Sequence, residues 1–255
     1  MLPDLTFLLA AIPAVALVGL SKGGLGGAFS LLGVPILALV VPPMAAAAIF
    51  LPILLVSDLV ALYAWRGHGD WRTFLALLPG ALAGIVFGWA TSALVPADAM
   101  RLVLGTITVL FAGRYFVRRL RGEREGSRPA RAQNTIAATA WGGLAGYGSF
   151  IAHAGGPPFE IYALPLKLDP RTYTGTSVRF FACLNAIKVI PYVALGQLDV
   201  SNLTLSLTLL PVVLVSTMAG AWVVRRMRAE TFYPLIYGMT LIAGMKLLWD
   251  GLSVI

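Results

Sequence analysis

Residues 141–165 read WGGLAGYGSFIAHAGGPPFEIYALP, an apolar run interrupted by glycines and by the pair Pro157-Pro158. Proline has no amide hydrogen and glycine no Cβ, so a helix entering this stretch is expected to break near Gly155 to Pro158. In a bilayer, broken backbone persists only where protein or water satisfies the freed N–H and C=O groups, which makes the stretch a binding-site candidate. The first half of the chain repeats the device. There Ser21-Lys22-Gly23-Gly24-Leu25-Gly26-Gly27 divides a long apolar segment, with Gly33-Val34-Pro35 behind it as Gly156-Pro157-Pro158 stands in the later copy.

The composition places both stretches in a membrane. Of the 255 residues 58% are hydrophobic and 12% charged, and the mean hydropathy is +0.85, too little charge to cover a soluble surface. Several apolar runs of roughly 20 residues match the hydrocarbon thickness of a bilayer. The formal charge of +8 is concentrated in a few loops, so it reads as topology and gives no reason to expect nucleic acid. One cysteine, Cys183, supports neither a disulfide nor a cysteine metal site within the chain, and two histidines without an HExxH pattern predict no metal or other cofactor. The N-terminal run resembles a signal h-region in length but lacks a basic n-region, and it is read as retained.

Apolar runs bounded by charge, proline or glycine give ten helical pieces: 5–20, 27–41, 44–65, 72–93, 98–120, 133–148, 157–166, 171–195, 201–225 and 230–250. The first, second, sixth and seventh are roughly 15–24 Å long as helices, short of the ~30 Å core, and read as half-helices paired across a break. Residues 114–131 (RYFVRRLRGEREGSRPAR) hold seven arginines against two glutamates and read as a cytoplasmic linker. If each broken pair is re-entrant and is followed by three full spans, Arg66, Arg72, Lys167, Arg171 and the Arg225 cluster also fall inside. That scheme places both termini outside. The expected fold is therefore an all-α polytopic membrane protein of two inverted repeats, each a broken (re-entrant) helix pair followed by three transmembrane helices.

The whole chain, 1–255, reads as one transport domain, with a first repeat at 1–120, a linker at 121–132 and a second repeat at 133–255. Faint internal similarity agrees: Pro35 answers to Pro158, Pro43 to Pro170, Gly67-His68-Gly69-Asp70 to Gly196-Gln197-Leu198-Asp199, Pro79 to Pro211, and Asp58 to Asn185. Small residues four apart, Gly80-Gly84-Gly88 and Ser216-Gly220, are spaced for close helix packing, with a substrate-facing stripe as the alternative.

These residues resemble the sulfite exporter TauE/SafE family of bacterial and archaeal membrane proteins. The opening GLSKGGLGGAFSLLGVPIL, the duplicated architecture, the GSFIAHAGGPPF stretch and the run from Thr176 to Lys188 carry the resemblance over almost the whole chain. It implies a multi-pass protein of the cytoplasmic (inner) membrane that exports a small sulfur-containing anion such as sulfite or an organosulfonate. The sulfur rests on the resemblance alone.

The residues themselves point to an anion. Half-helix N-termini carry partial positive charge and unpaired amides, so Gly23, Gly24, Gly26, Gly27, Gly155 and Gly156 would let an anion approach backbone at the two breaks. The alternative is that they only permit tight helix crossings. Lys188, in mid-span, is either the anion's countercharge or the partner of Asp58. Asn185, one turn earlier, is an amide donor to an oxyanion or to another helix. Ser30 and Ser149 are hydroxyls beside the breaks, able to touch an oxyanion or to bond back to their own helices. His153 and Asp58 are the candidates for proton coupling, against a structural histidine and an ion pair.

Arg179 reads as a guard of the inner entrance or as a snorkelling residue, Lys22 as an outer-entrance or snorkelling cation, and Glu160 as structural. Lys246 and Asp250 are expected to pair with each other. The expected partners are a small anionic substrate and the lipid bilayer. Competing classes are an anion channel or accessory membrane subunit, and an intramembrane enzyme in which Lys188 and Ser149 would form a dyad without any other part of a hydrolase site.

Overall fold

The computed structural model describes residues 4–41, 43–92, 94–123, 129–194 and 200–253. Among the described residues the regular elements are all helical: α1 Leu5–Leu20, α2 Ala28–Leu37, α3 Pro43–Ala64, α4 Trp71–Thr91, α5 Ala97–Leu120, α6 Thr135–Ile151, α7 Gly156–Ala163, α8 Pro170–Ala194, α9 Val200–Arg226 and α10 Ala229–Leu252. Local chemistry sets the starts. The carboxylates of Asp4 and Asp70 and the side-chain oxygen of Asn134 accept from first-turn amides of α1, α4 and α6. Burial alone would raise the Asp70 carboxyl. Hydrogen bonds from Thr73, Gln133 and the Arg72 amide outweigh it and hold the group below its ordinary range.

Five segments are long and apolar enough to cross a membrane: Leu5–Leu25, Trp71–Thr91, Ala97–Leu120, Thr204–Arg226 and Ala229–Leu252. The first departs from the expected half-helix 5–20. α1 itself has the expected bounds, but a π-helical turn, Ser21–Leu25, extends it into a segment of 21 residues, in which Gly24, at φ 123°, already leaves the helical conformation and which Gly26, at φ 97°, ends. Only glycine adopts such angles readily, which is why the break falls there. The second break also moves. It was expected at Gly155 to Pro158, but α6 runs to Ile151 and the chain turns at His153, at φ 53°. Pro157 and Pro158 sit in the first turn of α7, where a missing amide hydrogen breaks no helical bond, so they begin a helix, as the expected piece 157–166 has them. Residues 124–128 of the arginine-rich linker and 195–199, which include the predicted counterpart of Gly67 to Asp70, lie outside the described residues.

The helices form two compact units, and each draws on both halves of the sequence. Unit 1 holds residues up to 67 with 181–226; unit 2 holds 68–180 with the residues from 227 onward. In unit 1, α1 packs on α2 and α9, and α3 on α9, around Phe7, Val15, Val18, Leu37, Phe50, Ile53, Leu209 and Val213. The α1–α9 seam is nearly bare backbone: a Cβ on Gly23 would stand 2.4 Å from the Thr217 carbonyl oxygen and 2.7 Å from the Gly220 Cα.

In unit 2, α4 packs on α6 and α5 on α10. The α4–α6 seam has glycines on both sides. A Cβ on Gly80 would stand 1.9 Å from the Thr139 carbonyl oxygen, and one on Gly146 2.0 Å from that of Ala81. Both small-residue spacings read from the sequence therefore serve close packing, apart from Gly88, which faces the Phe150 side chain more loosely. In each unit the helix that enters a break packs on the second full span of the other sequence half, α1 on α9 and α6 on α4.

Candidate functional site

Inside unit 1 the first break meets α3 and α8. The Lys22 ammonium, on the π turn, donates to Asp58 Oδ1 of α3 at 2.6 Å, and the Asn185 amide of α8 donates to Oδ2 at 2.6 Å. The Lys22 and Asp58 side chains are 13% and 6% exposed. Lys188, one turn beyond Asn185, is buried and within electrostatic reach of both Lys22 and Asp58. The break is itself tied down. Ser21 Oγ donates to the Gly26 carbonyl at 2.6 Å, and the Trp65 indole N–H to the Gly23 carbonyl at 3.0 Å, while the Arg225 guanidinium lies over the Trp65 ring. A π turn widens the helix and turns Lys22 toward Asp58, the kind of irregularity that recurs at functional sites.

Sequence reasoning linked Asp58 with Asn185 by repeat register and with Lys188 by charge. The ion pair it missed is Lys22–Asp58, because a regular helix through residue 22 gives no reason to turn that side chain toward α3. The available signal was a charge count: Asp58 in an apolar span needs a cation, and Lys22 and Lys188 were the candidates at hand.

Gly23, Gly24, Gly26, Gly27 and Ser30 belong to the same unit as Asn185 and Lys188. Gly27 precedes α2 without a side-chain cap, so the first amides of α2 present the donor-rich end of a helix. Ser149, His153, Gly155 and Gly156 belong to unit 2. Gly155 packs on Ser149, which is buried; a Cβ there would stand 2.7 Å from the serine Cβ. Gly156 opens into free space. His153 is exposed and takes the left-handed position that ends α6, with the Ala154 amide folding back to the Gly148 carbonyl at 3.0 Å.

The N-termini of α2 and α7 are not equivalent, since Pro157 and Pro158 remove two of the first amide donors of α7. Arg179 stacks on Trp71, its guanidinium carbon 4.9 Å from the ring centre, and Lys246 pairs with Asp250 as its spacing predicted. Among the described residues no group of three or more His, Cys, Asp or Glu side chains is arranged to hold a metal ion.

Five apolar segments of spanning length define a multi-pass membrane protein. The chain belongs to the sulfite exporter TauE/SafE family, which it matches over residues 11–247, and it is a membrane transporter of that type. No curated protein and no solved structure matches it.

Proposed function

We propose that the chain exports a small anion, sulfite or an organosulfonate, across the cytoplasmic membrane of a bacterial or archaeal cell. The observation that carries this reading is the charge count in unit 1. Among the charged groups described at this break, Lys22 and Lys188 are two cations beside one carboxylate, Asp58, a formal excess of positive charge that one bound monoanion would neutralise. Lys188 and Asn185 supply side-chain donors, Gly23, Gly24, Gly26, Gly27 and Ser30 the approach to the α2 amides, and Ser149, His153, Gly155 and Gly156 the equivalent surface at the second break. The two halves act as inverted repeats with re-entrant breaks and both termini outside. The matched pairing of α1 with α9 and of α6 with α4 supports the duplication. Asp58 and His153 are the coupling candidates of this scheme.

Lys188→Met tests the reading, because methionine keeps most of the stem volume and removes the charge. Affinity for sulfite and for the best of a sulfonate panel, measured by titration of the purified protein, is expected to weaken by about 1.5–3 kcal/mol, the scale of a charge-assisted hydrogen bond. Unchanged affinity removes Lys188 from the site. Flux that follows the anion gradient without saturating makes the protein a channel.

A further inference from the structure

Unit 2 contains a second buried carboxyl, Glu160 of α7, which the anion site does not use. Its Oε2 lies 2.8 Å from Oγ1 of Thr240 on α10, and the same Oγ1 lies 2.8 Å from the Ile236 carbonyl oxygen. Thr240 is fully buried. A threonine hydroxyl has one hydrogen, while a carbonyl and an ionised carboxylate only accept. The Thr240 hydrogen can serve one of the two short contacts and not both. A proton on Glu160 completes the set: the carboxyl O–H donates to Thr240 Oγ1, and the Thr240 O–H donates to Ile236.

A second hydroxyl stands ready for the other state. The Tyr173 phenol of α8 is buried, has no hydrogen-bond partner among the described residues, and lies within electrostatic reach of Glu160. When the proton leaves Glu160 for water, the Thr240 hydrogen can turn from Ile236 to the carboxylate, and the Tyr173 hydroxyl is a further donor.

Other titratable groups on the surrounding elements have contacts of their own, and Tyr162 of α7 donates to the Asn134 carbonyl. Tyr233 of α10 donates to the Leu168 carbonyl, and Tyr237 stacks on Tyr115 of α5. On α5, Asp98 pairs with Arg101, and Arg114, Arg118 and Arg119 lie in its last two turns. Tyr147 of α6 meets Thr91 and Phe87 of α4. On α8, Arg171 lies in the first turn and Arg179 stacks on Trp71. At the ends of α10, Glu230 meets Arg228 and Lys246 meets Asp250.

We propose that Glu160 is a reversible proton site, protonated at rest through Thr240 and stabilised by hydroxyl donors when it ionises, and that its proton couples to anion movement. The coupling role rests on the transporter reading; the protonation does not.

The test uses the full chain in two measurements. Infrared spectra of wild type minus E160Q at neutral pH are expected to show the carbonyl-stretch band of a protonated carboxyl, lost on alkalinisation. In Y173F that band is expected to persist to higher pH, because a donor to the ionised form is gone; this variant also serves if E160Q does not fold. Absence of the band, or an unmoved titration in Y173F, overturns the proton site. In proteoliposomes, E160Q is expected to keep sulfite–sulfite exchange and to lose accumulation driven by an imposed pH gradient. Retained gradient-driven accumulation in E160Q, or accumulation driven by a sodium gradient alone, overturns the coupling. A wild type that does not exchange sulfite removes the transport reading and with it the coupling, and the infrared band still decides the proton site.

Discussion

Lys22→Met is expected to destabilise the folded chain by about 3–5 kcal/mol, the scale for removing one partner of a buried ion pair. The pair is 2.6 Å long and nearly closed to solvent on both sides, so the substitution leaves Asp58 in an apolar interior with the Asn185 amide as its described donor and Lys188 as a cation within electrostatic reach but not in its place. Asp58→Asn in the Lys22→Met background removes the stranded charge and is expected to recover most of the loss. Thermal unfolding in detergent of wild type, both single variants and the double variant reads the coupling. If the two losses simply add, the ion pair does not hold the first break in place.

Gly80→Val is expected to abolish stable packing of α4 on α6. The added Cβ alone would stand 1.9 Å from the Thr139 carbonyl oxygen, and its nearest neighbours are backbone atoms, which cannot rotate away as a side chain can. Overpacking typically costs about 1–3 kcal/mol where side chains can give way, and here a whole helix must shift, so the loss is expected to reach ~3 kcal/mol or more. Gly113→Ala in α5 is the control. A Cβ there meets nothing within 4 Å, and replacing a helical glycine by alanine is expected to be neutral or to stabilise by up to about 1 kcal/mol. Folded yield after detergent extraction and the unfolding midpoint measure both. Equal behaviour of the two variants would mean that the glycine seam is not what joins α4 to α6.

Much of this was legible in the chain, for reasons that differ from residue to residue. The glycines of the first break were readable because Gly24 and Gly26 adopt angles other residues avoid, and composition carries that information. The seams were readable because four-residue spacing of small residues has one common use between apolar helices. The prolines of the second break were legible as the start of a helix, since proline is compatible with the first turn of a helix and hostile to its interior, and the expected piece 157–166 begins within a residue of α7; the end of the preceding helix was not, because α6 runs past the expected residue 148 to Ile151. The π turn was not readable at all. It depends on how α1 seats against α9, a tertiary effect, and with it went the direction of Lys22. The interleaving of the two units was hidden for the same reason, since a repeat shows which segments correspond and not which segments touch.

The geometry around Asp58 also has a stoichiometric side. An ammonium carries three N–H groups and a primary amide two. Asp58 engages one from Lys22 and one from Asn185, in each case through a different oxygen. Charge is therefore matched at the pair while its N–H groups outnumber those the carboxylate engages, so on the proposed reading an oxyanion would not need to open the bridge to be held beside it. A pyramidal head with three oxygens, as in sulfite or a sulfonate, brings enough lone pairs to use that surplus. A halide presents one atom of similar charge but no divergent acceptors, so discrimination at such a cluster follows the number and direction of acceptors more than net charge.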